Sequence, residues 1–424
     1  MHRSKARFLL FCSLAILLPA CSSDDLAVTT FGGEGEGCYP NGTCDPGLWC
    51  LSNLCVSPPD GPFPPRDLPP WPPVDQGADA PLDAAVADLS IDIATDATDA
   101  TGDPDQGPGC VNCVITLVGN GEPGFADGPA LAAQLNSPSG LALKDGVLYI
   151  ADRENHRIRK LEGGELTTIA GTGNPGFFDG AALNEARFFA PSGVTIDSKG
   201  TVYIADTGNH RIRRLRSGTV TTFAGSGSAG GTNDWGVKAT FNSPRDITVD
   251  GFGVLYVADT FNNRVRKITA NSQVTNLSAD GYYNFVGTTG VAVDAAGQVF
   301  VAESQNHRIL RASGNSIASI AGISGKPGFL DGYYNVALFR VPSSVAVDGA
   351  GRVYIVDSAN HRLRRREDNH VTTIAGSGIP GYKDGDAKTA QFFAPFSAVV
   401  NEAGTRLYVS DVNNHVIRLV VLAP

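Results

Sequence analysis

From residue 114 onward, apolar and polar residues alternate in short bursts separated by Gly, Asn and Asp. One stretch shows the plan. Residues 193–197 alternate as a strand, and Asp197-Ser198-Lys199-Gly200 has hairpin-turn chemistry. Residues 202–205 form a second strand, Asp206-Thr207-Gly208-Asn209 a turn, and residues 211–215 a third strand. Gly218 turns the chain again into a fourth strand at 220–224. No helical period is present. The pattern recurs six times, at 147–161, 202–215, 255–268, 299–312, 353–366 and 407–420. Each copy places an acidic residue after its second strand: Asp152, Asp206, Asp259, Glu303, Asp357 and Asp411, in steps of 54, 53, 44, 54 and 54. A period of about 40–55 residues points to a propeller or solenoid. Identical turn chemistry at a fixed period favours radial repetition over a sandwich.

Each copy also carries a dipeptide: Asn155-His156, Asn209-His210, Asn306-His307, Asn360-His361 and Asn414-His415, with Asn262-Asn263 in the third. These segments resemble NHL repeats, although Arg or Val stands where the family name has Leu. The resemblance covers about three quarters of the chain. It implies an all-β, six-bladed β-propeller with one four-stranded blade per repeat. The sixth copy has three strands, while VITLVG at 114–119 matches the fourth strands LTTIAG, VTTFAG and VTTIAG. Residues 114–118 are therefore expected to complete the last blade and remove the exposed edges.

Composition agrees with many short strands. Gly is 50 and Pro 26 of 424 residues, and charged residues are 18%. Long amphipathic helices and coiled coils need the opposite balance. The formal net charge of -10 is unevenly spread. Residues 1–21 carry +3, 22–55 carry -5, 56–109 carry -10, and 110–424 carry +2. The acidity belongs to the segment ahead of the propeller, so it says nothing about what the propeller binds.

Arg3, Lys5 and Arg7 precede the apolar run FLLFCSLAILL, which ends at Pro19-Ala20-Cys21. This reads as a signal peptide over 1–20. Leu18-Pro19-Ala20-Cys21 resembles the lipobox of bacterial lipoproteins, which implies lipid on Cys21 and a tether over 21–37. The expected address is the bacterial envelope, with the outer membrane suggested by Ser22. Cys38, Cys44, Cys50 and Cys55 form a dense module at 38–55, read as two disulfides with three connectivities open. The spacing has no CxxC and no nearby His, which argues against zinc. Residues 56–109 hold 12 Pro and 11 Asp. They are expected to form a stretched, disordered stalk. A local disulfide is expected between Cys110 and Cys113, at the head of the domain at 110–424.

The turn after strand two and the exit after strand four fall on one face of an up-and-down blade. The exits are GEPGFADG (121–128), GNPGFFDG (173–180), GKPGFLDG (325–332) and GIPGYKDG (378–385). After the second and third copies they become GSAGGTNDWG (227–236) and SADGYYNF (278–285). Trp235, Tyr282, Tyr283 and Phe285 fall in this irregular region and form the candidate contact patch. The motif pairs Asp152 and His156, Asp206 and His210, Asp357 and His361, and Asp411 and His415 are read as structural. Asp is expected to cap its turn, Asn to take the left-handed conformation, and His to pack between blades. Motif His residues of neighbouring blades, about 10 Å apart, cannot share a metal held at about 2 Å. No catalytic residues, metal or cofactor are assigned, and GxSxG, HExxH and P-loop patterns are absent. Export and near-neutral charge argue against nucleic acid. The sequence reading is a monomeric binding module for a protein or surface glycan, anchored only through lipid. The competing reading is a propeller enzyme, lyase or lactonase-like, with a metal in the central channel.

Overall fold

A computed structural model describes residues 110–278, 285–314 and 316–423, together with the backbone of Trp49–Leu51 and Leu54–Val56. The chain divides into two units, Met1–Ala94 and Thr95–Pro424. In the first, the two short strands pair antiparallel and set Cys50 opposite Cys55 along the backbone. Cys21, Cys38 and Cys44, the tether and the stalk lie outside the described residues.

The second unit is a six-bladed β-propeller. Blade 2 is typical, with antiparallel strands Gly193–Ile196, Val202–Asp206, Arg211–Arg216 and Thr219–Ala224 in that order. The innermost strands of the other blades are Pro138–Lys144, Pro244–Val249, Thr288–Val293, Pro342–Val347 and Pro395–Val400. Blade 6 takes its outer strand from the other end of the chain. Cys113–Val118 pairs antiparallel with Val416–Val421, with Val114 opposite Val420 and Val118 opposite Ile417. The ring is thus closed by hydrogen bonds between its two ends. Cys110 and Cys113 are joined by a disulfide at the entry to this strand. One feature exceeds the four-stranded plan. In blades 1, 2, 5 and 6 a two-residue strand from the preceding exit loop pairs with the outer strand, as Gly180 does with Val220. These pieces cover part of an edge that would otherwise be free.

The core is six clusters, one between each pair of adjacent blades. Each contains one large plug supplied just before an innermost strand: Leu135, Phe188, Phe241, Phe285, Phe339 or Phe392. All six are buried, and each ring or isobutyl group contributes about 1.5–3 kcal/mol of burial. Small residues let the inner strands approach one another. A Cβ on Gly193 would lie 2.8 Å from the carbonyl oxygen of Arg245 in the next blade.

Candidate binding face

The Asp of each repeat does not cap its own turn. It sits fully buried at the end of the second strand and meets an Arg seven residues later on the third strand. The pairs are Asp152–Arg159, Asp206–Arg213, Asp259–Arg266, Asp357–Arg364 and Asp411–Arg418, at 2.5–2.8 Å. Strand geometry brings them together. Asp206 pairs with Arg211, so Arg213 lies two residues further on and shares its face of the sheet. The other carboxylate oxygen accepts the N–H that follows the plug, as Asp206 Oδ1 does from Phe189. The motif Asn donates to the same Asp and to a carbonyl in the exit loop, as Asn209 does to Asp206 and Gly176.

The exit loop completes the cage. Arg213 donates from Nε and Nη2 to Asp179 of the GNPGFFDG loop, and also to the carbonyls of Phe178 and Arg187. The equivalent Asp127, Asp331 and Asp384 hold Arg159, Arg364 and Arg418 at 2.5–2.7 Å. The Phe of the loop covers a second Arg. Phe125, Phe177 and Phe329 lie 3.7–3.8 Å beneath the guanidinium carbons of Arg157, Arg211 and Arg362. The Arg-rich third strands are therefore the framework of the loops rather than a basic surface. Two blades vary in a coordinated way. In blade 3 the loop supplies Asn233 in place of Asp, and Arg266 Nε has no partner among the described residues. In blade 4 Leu310 occupies the position of the buried Arg, and the acidic residue is Glu303, whose longer side chain meets Arg308 at 2.5 Å.

The left-handed residue of each turn is His, not the Asn expected from the sequence. His156, His210, His307, His361 and His415 have φ of 53–56°, and Asn263 has 52°. This conformation throws the side chain across the seam. Each Nδ1 accepts a backbone N–H of the next blade at 2.9–3.2 Å: Ala190, Ser243, Val341, Ala394 and Ser137. Asn263 Oδ1 does the same for Gly287 at 2.9 Å. The imidazoles are thus neutral at Nδ1. Burial pulls all five below their ordinary value of 6.5.

That direction sets a pH dependence. The unfolded chain protonates first, so the histidine contribution is intact above about 6.5 and is lost as pH falls through the lower folded-state values. Replacing His156, His210, His307, His361 and His415 by Asn keeps both the left-handed turn and the acceptor. We expect thermal melts of the parent to decline more steeply below pH 6.5 than those of this variant. Parallel curves would remove the histidines from the acid response.

Asp152, Asp206, Asp357 and Asp411, with their partner histidines, therefore lie inside blades and seams. The contact-patch residues separate. Phe285 is the plug of the blade 3–4 seam and is 3% exposed, which corrects its assignment to the surface. The shorter loop displaced it in sequence, but it still falls three residues before its innermost strand. Trp235 is 49% exposed at the outer edge of blade 3, bridged to Gln273 and next to the exposed Val237. Tyr282 and Tyr283 lie outside the described residues.

The central channel encloses about 250 Å³. Its walls are aliphatic and hydroxyl side chains, and Asp246 is the single ionisable residue among them. Asp246 accepts N–H groups from Ile247 and from Val291 of the next blade, while burial pushes its carboxyl up to about 6. On the exit-loop face Phe189, Phe261 and Phe393 are each 37–46% exposed. The sequence reading missed Arg245 and Asp246. The available signal was that they replace the small pair opening other inner strands, as in Ser139-Gly140 and Ser192-Gly193. Among the described residues no three His, Cys, Asp or Glu side chains gather as a metal site requires.

Residues 135–161, 190–215 and 339–365 match the NHL repeat family. The chain is 30% identical over 322 residues to SUPPRESSOR OF QUENCHING 1, chloroplastic, of Arabidopsis thaliana, covering 73% of this chain and 27% of that protein. It is 28% identical over 343 residues to human NHL repeat-containing protein 2, covering 72% and 42%. It therefore spans less than half the length of either relative. An auxiliary nutrient binding protein from Bacteroides thetaiotaomicron has the same fold, with a TM-score of 0.58 at 17% identity over 73% of this chain and 76% of that one.

Proposed function

We propose that this NHL-repeat propeller is a binding module for a protein or glycan, carried on a lipidated envelope protein and working as a monomer. One observation carries the reading. The recurrent carboxylates, imidazoles and guanidiniums are spent on blades and seams, whereas large aromatic groups remain half exposed on the exit-loop face and at Trp235. Such groups supply contact area at small entropic cost. The description of the Bacteroides thetaiotaomicron protein of similar fold as an auxiliary nutrient binding protein is in keeping with this. The Leu-Pro-Ala-Cys signature supports the anchor, and the acidic stalk supports display away from a membrane.

Immobilised propeller should retain a defined component of an envelope extract, identified by mass spectrometry. Trp235→Ala should weaken its capture at least tenfold, as expected for an aromatic contact worth about 2 kcal/mol. Unchanged capture would remove Trp235 from the interface. Cys21→Ser should release the protein from the membrane fraction, and persistent association would end the lipoprotein reading. The carboxylate of Asp246 in the channel is the observation that favours the lyase or lactonase-like alternative. Stoichiometric zinc or calcium in the purified protein, lost on Asp246→Asn, would replace the binding reading with that one.

A further inference from the structure

At the start of the innermost strand of blade 3, one residue before the channel-lining Asp246, stands a cation that the fold does not use. In blades 1, 4 and 5 the innermost strand opens on a small hydroxyl residue that stitches it to the next blade. Ser139 Oγ donates to Ser192 O at 2.9 Å, Thr289 Oγ1 to Pro342 O at 3.4 Å, and Ser343 Oγ to Phe396 O at 2.6 Å. Blade 3 has Arg245-Asp246 at the same place. Asp246 takes over the stitch, because its Oδ2 accepts the Val291 N–H of blade 4 at 2.9 Å. Arg245 is left without a structural role.

Its surroundings make the point sharper. Arg159, Arg213, Arg364 and Arg418 each meet two carboxylates. Arg245 is half-buried, and among the described residues it has no carboxylate and no hydrogen-bond acceptor. The face of Phe261 lies against it, with 5.5 Å from the guanidinium carbon to the ring centroid. The charge that acts on it is another cation, Arg153, which is itself paired with Glu154 at 2.8 Å. Partial burial and then this like charge pull Arg245 down to about 10. A half-buried guanidinium whose five donors meet no acceptor among the described residues is a costly arrangement, and a bound anion relieves it.

We propose that the channel mouth on the exit-loop face binds a small carboxylate-bearing ligand, with Arg245 as the anchoring residue. A carboxylate matches the planar fork of arginine through two parallel hydrogen bonds. Phe261 flanks the head group. The channel behind it, about 250 Å³ with aliphatic and hydroxyl walls, accepts a body the size of one sugar or amino acid. Asp246 repels a second negative charge, so the acid group stays at the mouth and the uncharged part enters. This inference deepens the binding-module reading and rests on it for the face alone, since it does not use Trp235.

Titration calorimetry on the purified protein tests it with glucuronate, galacturonate and gluconate, with glucose as the uncharged counterpart and inorganic phosphate as a non-carboxylate anion. At least one carboxylate should bind one to one, about tenfold or more tighter than glucose and phosphate. Arg245→Ser places there the residue found in blades 1, 2 and 5, so the melting temperature should hold while binding falls at least tenfold. Arg245→Lys keeps the charge, loses the fork and should fall between. The proposal is overturned if none of the three carboxylates binds, if glucose or phosphate binds as tightly, or if Arg245→Ser binds like the parent. Capture of the envelope component separates the two readings. If capture persists in Arg245→Ser and no carboxylate binds, the module stands and the channel-mouth site falls. If capture is absent while carboxylate binding follows Arg245, the module reading fails instead.

Discussion

A chain that lacks residues 110–118 is expected to lose its cooperative, monomeric fold. Those residues contain the strand Cys113–Val118 that closes blade 6. Val114 and Val118 are fully buried, worth about 1.5–3 kcal/mol each. The ladder to Val416–Val421 adds roughly 1 kcal/mol per hydrogen bond. Against a total stability of about 5–15 kcal/mol, this loss is decisive. The strand left at the edge is VIRLVV, an apolar segment suited to pairing with another chain. Light scattering and thermal melting should show oligomers or an unfolded chain, and a synthetic peptide of residues 110–119 should restore a monomeric melt. A truncated monomer melting within a few degrees of the intact protein would show that the blades hold without closure.

Arg213→Leu is the second large effect. It leaves the Asp206 carboxylate buried without a counter-ion and removes the anchor of Asp179. Losing one partner of a buried pair costs about 3–5 kcal/mol, measurable as a shift of the denaturant midpoint. The protein also contains its own compensation. Blade 4 carries Leu310 where the other blades have Arg, and Glu303 there reaches Arg308. Arg211 occupies the position of Arg308 in blade 2. The double variant Asp206→Glu with Arg213→Leu should therefore recover about half of the loss or more, a coupling that a double-mutant cycle reads directly. Additive losses would mean that Arg211 does not replace Arg213. Loss of less than about 1 kcal/mol in the single variant would mean that water reaches Asp206.

The propeller was legible because its signals are local and repeated. Strand alternation, DxxG turns and an even spacing of acidic residues depend on short-range geometry, which six copies restate. The missing fourth strand of the last copy and its match at 114–119 gave the closure, since an unpaired edge has one complementary segment in the chain. The partners of the motif were less legible. Asp206 and Arg213 are seven residues apart, but Asp179 reaches the same guanidinium from 34 residues away. Only five of six copies keep the Arg, and blade 4 hides the rule by changing both members. Phe285 shows the same limit, because an aromatic residue in a shortened loop looks like surface until its register with the other plugs is seen.

By itself the sequence determined the class of fold, the number of blades and the way the ring closes, because these follow from periods written along the chain. The tertiary structure decided what each repeated polar residue faces. Folding the repeats into a ring turned five Asp residues toward buried Arg, and carried five His and Asn263 across the seams. It also left Arg245, next to the channel-lining Asp246, with no anion among the described residues. Whether a charge is satisfied depends on neighbours from other blades, tens of residues away, and no local pattern encodes that distance.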